Sequence, residues 1–137
     1  MIDSTEKSKI PSVDLEFCQV KKLNELIVHV VYVRSMLIMP EHVTKVYNTC
    51  DSIMPGRYFF MLDHLEHVQA QFHPKTLTMS ADVERAERVY ADAFIPHSAS
   101  LKMLANFYLK MKKPKVPARA FDNVNDAMDW FKTFEIN

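Results

Sequence analysis

The sequence predicts a single layered α/β domain, and three observations carry that expectation. The last third of the chain, residues 90–134, reads as strand, amphipathic helix, proline-rigid turn, short strand and amphipathic helix. Residues 26–33 are β-branched and apolar on both faces, as a strand covered on two sides should be. Between Pro40 and the stop signal Pro55-Gly56, Val43, Val46, Tyr47, Cys50, Ile53 and Met54 fall on one helical stripe. Strands alternating with amphipathic helices belong to a sheet that helices cover.

Residues 1–12 are polar and are expected to form a flexible N-terminal tail, leaving 13–137 as the domain. Residues 15–20 suit a first strand and 21–24 a polar turn before the second strand at 26–33. Pro40 fits the first helical position, where its missing N–H is no loss. Residues 57–63 form a third strand ending in Asp63, and 64–72 a loop. Pro74 opens a second helix running to about residue 87. Val83, Ala86, Val89, Tyr90, Ala93 and Phe94 keep helical spacing too. Pro96, and the need for a parallel strand before the next helix, nevertheless place a switch to strand near Arg88. Ser98 caps a third helix reaching residue 113. Pro114 and Pro117 forbid its continuation, because each lacks the donor N–H and fixes φ. Residues 118–121 are extended. Asp122 or Asn123 caps a last helix with Val124, Ala127, Met128, Phe131 and Phe134 on one stripe. The expected order is ββαβαβαβα, a mixed β-sheet of about five strands with four helices.

Composition narrows the function classes. Lys+Arg and Asp+Glu are both 17, so no net field recruits nucleic acid. No run reaches the ~18 apolar residues of a membrane span. Cys18 and Cys50 lie in apolar settings and read as buried thiols of a cytoplasmic protein rather than a disulfide framework. Gly56 is the single glycine of the chain. Phosphate-cradling loops and dinucleotide turns need several, because the backbone must approach the anion closely, so nucleotide binding by those routes is excluded.

In the second half, a strand ending in Asp63 is followed by a helix opening at Ser98 with Met103, Asn106 and Phe107. Then come Lys113-Pro114 with Pro117, a strand ending in Phe121, and a helix carrying Ala127 and Trp130. In this pattern the chain resembles small bacterial proteins of the STAS / SEC14-like (SpoIIAA-like) group, within an uncharacterised branch, over about residues 13–134. The resemblance implies a mixed sheet with helices packed on it and no defined activity, since fold does not determine function. Relatives that antagonise anti-sigma factors carry a phosphorylatable serine at the second helix. This chain has His73-Pro-Lys-Thr76 there, a departure from the phospho-switch pattern. Thr76 and Ser80 are the nearby hydroxyls, and hydroxyls near helix starts usually serve as caps.

Four groups of residues are candidates for chemistry. Asp63, His64, Glu66, His67 and His73 lie within residues 63–73. Metal ligation needs several such donors converging on one point, but their spacing matches no named zinc pattern, so no metal or cofactor is expected. Asp63 and Asp92 sit on strands expected to be neighbours. Two close acids can share a proton, as acid/base chemistry requires. The plainer reading is that Asp63 caps its loop and Asp92 faces an edge or pairs with Arg88. His29, inside an apolar strand, reads as a satisfied core histidine. His97 beside Ser98 and Ser100 suggests a nucleophile pair, although a serine at a helix start is normally a cap.

The third helix carries the sharpest signal. Its apolar positions sweep roughly 240° of its circumference. Leu101, Leu104, Tyr108 and Met111 suit the core. Met103 and Phe107 are left at the margin beside Lys102, Asn106 and Lys110, unless a neighbouring helix bearing Trp130 covers them. An apolar margin of this kind suits a partner surface. Lys110, Lys112, Lys113 and Lys115 beside Phe107 and Tyr108 would also rest on anionic lipid, but four lysines at a helix C-terminus equally complement the macrodipole. The expectation is therefore a non-enzymatic protein-contact or regulatory module. It self-associates or binds a protein partner through Met103, Asn106, Phe107 and Lys110. Two alternatives stand beside it. One is small-ligand or lipid carriage in a pocket lined by Phe59, Met61 and Phe94. The other is an enzyme using Asp63, His64, His67 and Asp92.

Overall fold

The computed structural model describes residues 11–76, 88–112 and 116–136. Its element order is β1 Ser12–Asp14, β2 Cys18–Lys22, β3 Ile27–Tyr32, β4 Leu37–Ile38, α1 Pro40–Ile53, β5 Phe59–His64, β6 Gln71–Phe72, β7 Val89–Ile95, α2 Ala99–Lys112, β8 Ala118–Ala120 and α3 Val124–Phe131. A helical turn also begins at Pro74. Ser80, most of the expected second helix and the 113–115 part of the proline turn lie outside the described residues, as does nearly all of the expected tail.

Six strands form one sheet in the order β1-β2-β3-β5-β7-β8. The β1–β2 and β2–β3 pairs are antiparallel, and β3–β5, β5–β7 and β7–β8 are parallel. The architecture is thus mixed α/β with a mostly parallel sheet. β3 and β5 lie inside it and, apart from His29 and the terminal Asp63-His64, are apolar on both faces, because helices cover both.

The expected first strand, 15–20, is replaced by a hairpin. Asp14 Oδ1 accepts the Glu16 N–H at 2.8 Å, Glu16 takes φ 79°, and Leu15 N–H donates to Cys18 O. The chain therefore reverses at 15–17 and adds a strand to the expected five. β2 runs on through Lys22, and the polar turn shifts to Asn24, whose Oδ1 accepts the N–H groups of Leu26 and Ile27. The expected loop at 64–72 holds a second surprise: β6 pairs in parallel with β4 as a separate two-stranded ribbon. Two residues per strand leave no period to read in the sequence.

The remaining elements follow their local chemistry. Pro40 opens α1, and His42 Nδ1 accepts the Met39 N–H at 2.9 Å. Val46, Tyr47 and Cys50 are its buried stripe, and Gly56 ends the turn after it at φ 69°. β7 begins at Val89, next to Arg88, and is buried at alternate positions; the helix expected just before it lies outside the described residues. Ser98 Oγ accepts the Leu101 N–H and caps α2, while Asn123 Oδ1 accepts the Asp126 N–H and caps α3.

Strand alternation divides the interior into two cores. α1 packs on one face, with Val28, Val30, Tyr32, Met61 and Met54. α3 packs on the other, with Ile27, Phe60, Leu62, Ala93 and Phe121. Both cysteines are buried and free on the α1 side. Burial pushes the Cys18 thiol up to about 12 and the Cys50 thiol well above its ordinary range, so neither is a reactive thiolate.

Candidate functional site

A cavity of about 160 Å³ lies on the α1 side, between the sheet, α1 and α2. Tyr32 comes from β3, Met61 and Asp63 from β5, and Asp92 and Phe94 from β7. Val43, Val46 and Tyr47 line it from α1, and Leu101, Leu104, Ala105, Tyr108 and Leu109 from α2. The expected pocket residues Met61 and Phe94 are on its wall. Phe59 is not among the lining residues: it is buried in the α1-side core.

Among the described residues, Asp63 and Asp92 are the only carboxyls lining this cavity, and register explains why they meet. Asp63 is paired with Phe94, and Met61 with Asp92, so the acids sit diagonally on adjacent parallel strands and point to the same face. Their carboxyls are in hydrogen-bonding contact with each other. Both residues are half-buried and line the cavity. Asp92 Oδ1 is buried with no donor against it.

Burial pushes both carboxyls above the ordinary range. For Asp92 the neighbouring Asp63 charge adds to the effect, whereas the hydrogen bond from Asp92 partly holds Asp63 back. The pair therefore titrates as one unit that holds a proton more tightly than a free carboxyl does. The plain reading of both acids fails on geometry. Asp63 faces the cavity rather than its loop. Arg88 is engaged elsewhere, with Asp51 Oδ1 at 2.8 Å and with Met54 O. Burial likewise raises the hydroxyl pKa of Tyr32 and Tyr47, keeping both phenols neutral beside the acids.

The histidines lie on the opposite side of the sheet. His64 follows Asp63 in the strand and so points the other way. Its Nδ1 is 3.1 Å from His29 Nε2, and the two rings stack at 5.2 Å. Its Nε2 is 2.9 Å from Glu66 Oε1, and His67 Nε2 is 3.7 Å from the same oxygen. Burial depresses the His29 pKa to about 4, with His64 adding to the effect, so that ring is neutral at physiological pH. The four residues Asp63, His64, His67 and Asp92 are therefore two separate constellations, not one site. His73 belongs to neither: its Nδ1 accepts the Lys75 N–H. Thr76 is buried and donates its hydroxyl to Ile38 O.

On α2, Met103 is 71 % exposed and Phe107 62 %. Leu104 and Met111, expected in the core, are 57 % and 66 % exposed. The helix lies over β8 at the margin of the sheet, so less of its circumference meets protein than a central position would give. Trp130 covers none of this surface, because α3 is on the other face, where Trp130 packs against Phe121, Phe131 and Phe134. Lys110 is exposed beside the stripe. Asn106 has a different job: its Oδ1 accepts the Ala120 N–H at 3.0 Å. Ser98 caps α2.

Fold and cavity together define a mixed α/β domain with a half-buried carboxyl pair on one side of its sheet. Within that class the chain belongs to the DUF7793 family, described as a domain of unknown function, whose model matches residues 21–135. No curated protein and no solved structure matches it. No helix among the described residues is long and apolar enough to cross a membrane.

Proposed function

We propose that this chain is a non-enzymatic binding module whose cavity takes a small apolar molecule bearing a cationic, amine-type group. The observation that carries this reading is the carboxyl pair in an otherwise apolar, aromatic-lined hollow. Engineered apolar cavities of about 150 Å³ hold a benzene-sized molecule, so the available volume suits a ring or a short chain. An ammonium group would neutralise negative charge on the pair and supply the donor that Asp92 Oδ1 lacks. Tyr32, Tyr47, Phe72 and Phe94 add ring faces near that charge. Thermal shift with benzylamine, benzyl alcohol and benzoate tests it. The amine alone should raise the melting temperature, and Asp92→Asn should abolish the rise. An equal response to all three, or none to any, removes the proposal. Native mass spectrometry of protein purified from cells should in addition show an adduct.

A second reading rests on α2. One flank of this helix walls the cavity, while Met103, Phe107 and Met111 face solvent as a continuous stripe at i, i+4 and i+8. That surface suits self-association or docking of a protein partner, in keeping with a STAS-like regulatory domain. Light scattering of the wild type against Phe107→Glu decides self-association: a dimer that becomes a monomer supports it, and a monomer in both cases ends it.

A further inference from the structure

The histidine cluster on the α3 side of the sheet is independent of the cavity. His64, Glu66 and His67 each offer a ligand atom, all within 4.8 Å of one another. Donors on one tetrahedral zinc ion, each at ~2.0–2.1 Å, lie roughly 3.3 Å apart. The present separations of 2.9 Å and 3.7 Å about Glu66 Oε1 bracket that value, and the remaining pair lies within 4.8 Å, so a rotation moving the exposed His67 side chain by about 1–1.5 Å would close the shell.

Two further features distinguish this cluster from a chance group of surface side chains. His64 ends β5, and its ring is half-buried and held by the stacked His29, whose Nε2 meets His64 Nδ1. Metal-ligating histidines carry this kind of support on the nitrogen that does not bind. Glu66 and His67 lie on a turn pinned at both ends. Leu65 and Val68 are buried, Leu65 N–H donates to Ile95 O at 2.8 Å, and Val68 N–H donates to Leu65 O. The exposed ligands are therefore presented to water from a fixed backbone.

We propose that His64, Glu66 and His67 bind a divalent transition-metal ion of the zinc type, with His29 positioning His64 and water completing the shell. Two imidazoles and one carboxylate favour zinc, copper or nickel over magnesium or calcium, which prefer all-oxygen sites. The ion takes His64 Nε2, which binds it in the unprotonated form. Both rings then carry their protons on Nδ1, and His64 donates to His29 Nε2, so neither ring changes charge.

Calorimetric titration of zinc chloride into the chelator-treated full chain is the test. One ion per chain at micromolar affinity is expected, and cobalt should give the visible absorption of a four-coordinate site. His67→Ala should weaken binding at least tenfold; His67 is 74 % exposed, so the fold does not depend on it. His29→Gln should weaken binding by roughly 10–100-fold, an effect that a loose surface pair would not show. No binding at micromolar zinc overturns the proposal. So does wild-type affinity in His67→Ala, which would place the ion at His42, His73 or His97 instead. Wild-type affinity in His29→Gln overturns the positioning role of His29.

Discussion

The two faces of the sheet are made by the same strands and have opposite characters. On the α3 side β5 presents Phe60 and Leu62. Phe60 lies 4.6 Å from the Phe131 ring, 5.1 Å from Tyr90 and 5.7 Å from Phe134, so this side is filled by interlocking aromatics. On the α1 side the alternate residues of the same strand are Met61 and Asp63, and they border a hollow. Filled space and satisfied contacts give stability, whereas an open cavity with half-buried acids costs it. Both faces hold a buried core, and the α1 side in addition carries a hollow with acids on its wall that folding alone would not select.

The largest effect should come from breaking the filled face. Phe60→Ala removes the ring at the centre of the aromatic cluster and is expected to cost about 3–5 kcal/mol, read as a lower urea midpoint at unchanged slope. A loss below about 1 kcal/mol would mean that the two faces do not differ in this way.

The hollow face is sharpened by pH. Above about pH 4 an unfolded chain has released carboxyl protons that the native pair retains. The folded state then binds more protons, so the pair makes stability fall as pH rises toward its own native titration, with a limiting slope of about 1.4 kcal/mol per pH unit. Asn at position 92 donates a permanent amide proton to Asp63 and removes that slope. Asp92→Asn should match the wild type near pH 4 and exceed it increasingly above. His29 acts in the opposite sense, losing stability as pH falls from 6.5 to about 4. It does so in both proteins and cancels in the difference. A gap that stays constant with pH would refute proton sharing.

The smallest effect concerns the margin of the hollow face. Asn106→Ala deprives the Ala120 N–H of its acceptor and should cost about 1 kcal/mol, with faster hydrogen exchange confined to that amide. Unchanged exchange there would show that the bond does not hold β8.

Much of the fold was legible because its long elements carry clear periods. α1 and β3, and the start of the strand after Arg88, follow from apolar spacing and proline placement. The hairpin at 15–17 was not, because it depends on a single Asx turn and a left-handed Glu16. The β4–β6 ribbon was not, because two residues have no period. For the site, the sequence offered Asp63 and Asp92 as neighbours, and the structure places them so. Their common face depends on register, which spacing within one strand cannot give. The parity of Asp63 against His64 was readable from alternation alone and separates the two constellations. Tyr32 and Tyr47 read as ordinary core positions because nothing local marks a cavity wall. Leu104 and Met111 were misplaced because a helical wheel gives angles but not where a helix crosses its sheet.

Asn106 also has a bearing on colloidal behaviour. β8 ends the sheet, and its outward Ala120 amide would otherwise be a template for a visiting strand. With a side-chain carbonyl already seated there, that amide offers no docking point to a visiting strand, and ribbon growth from this flank is disfavoured.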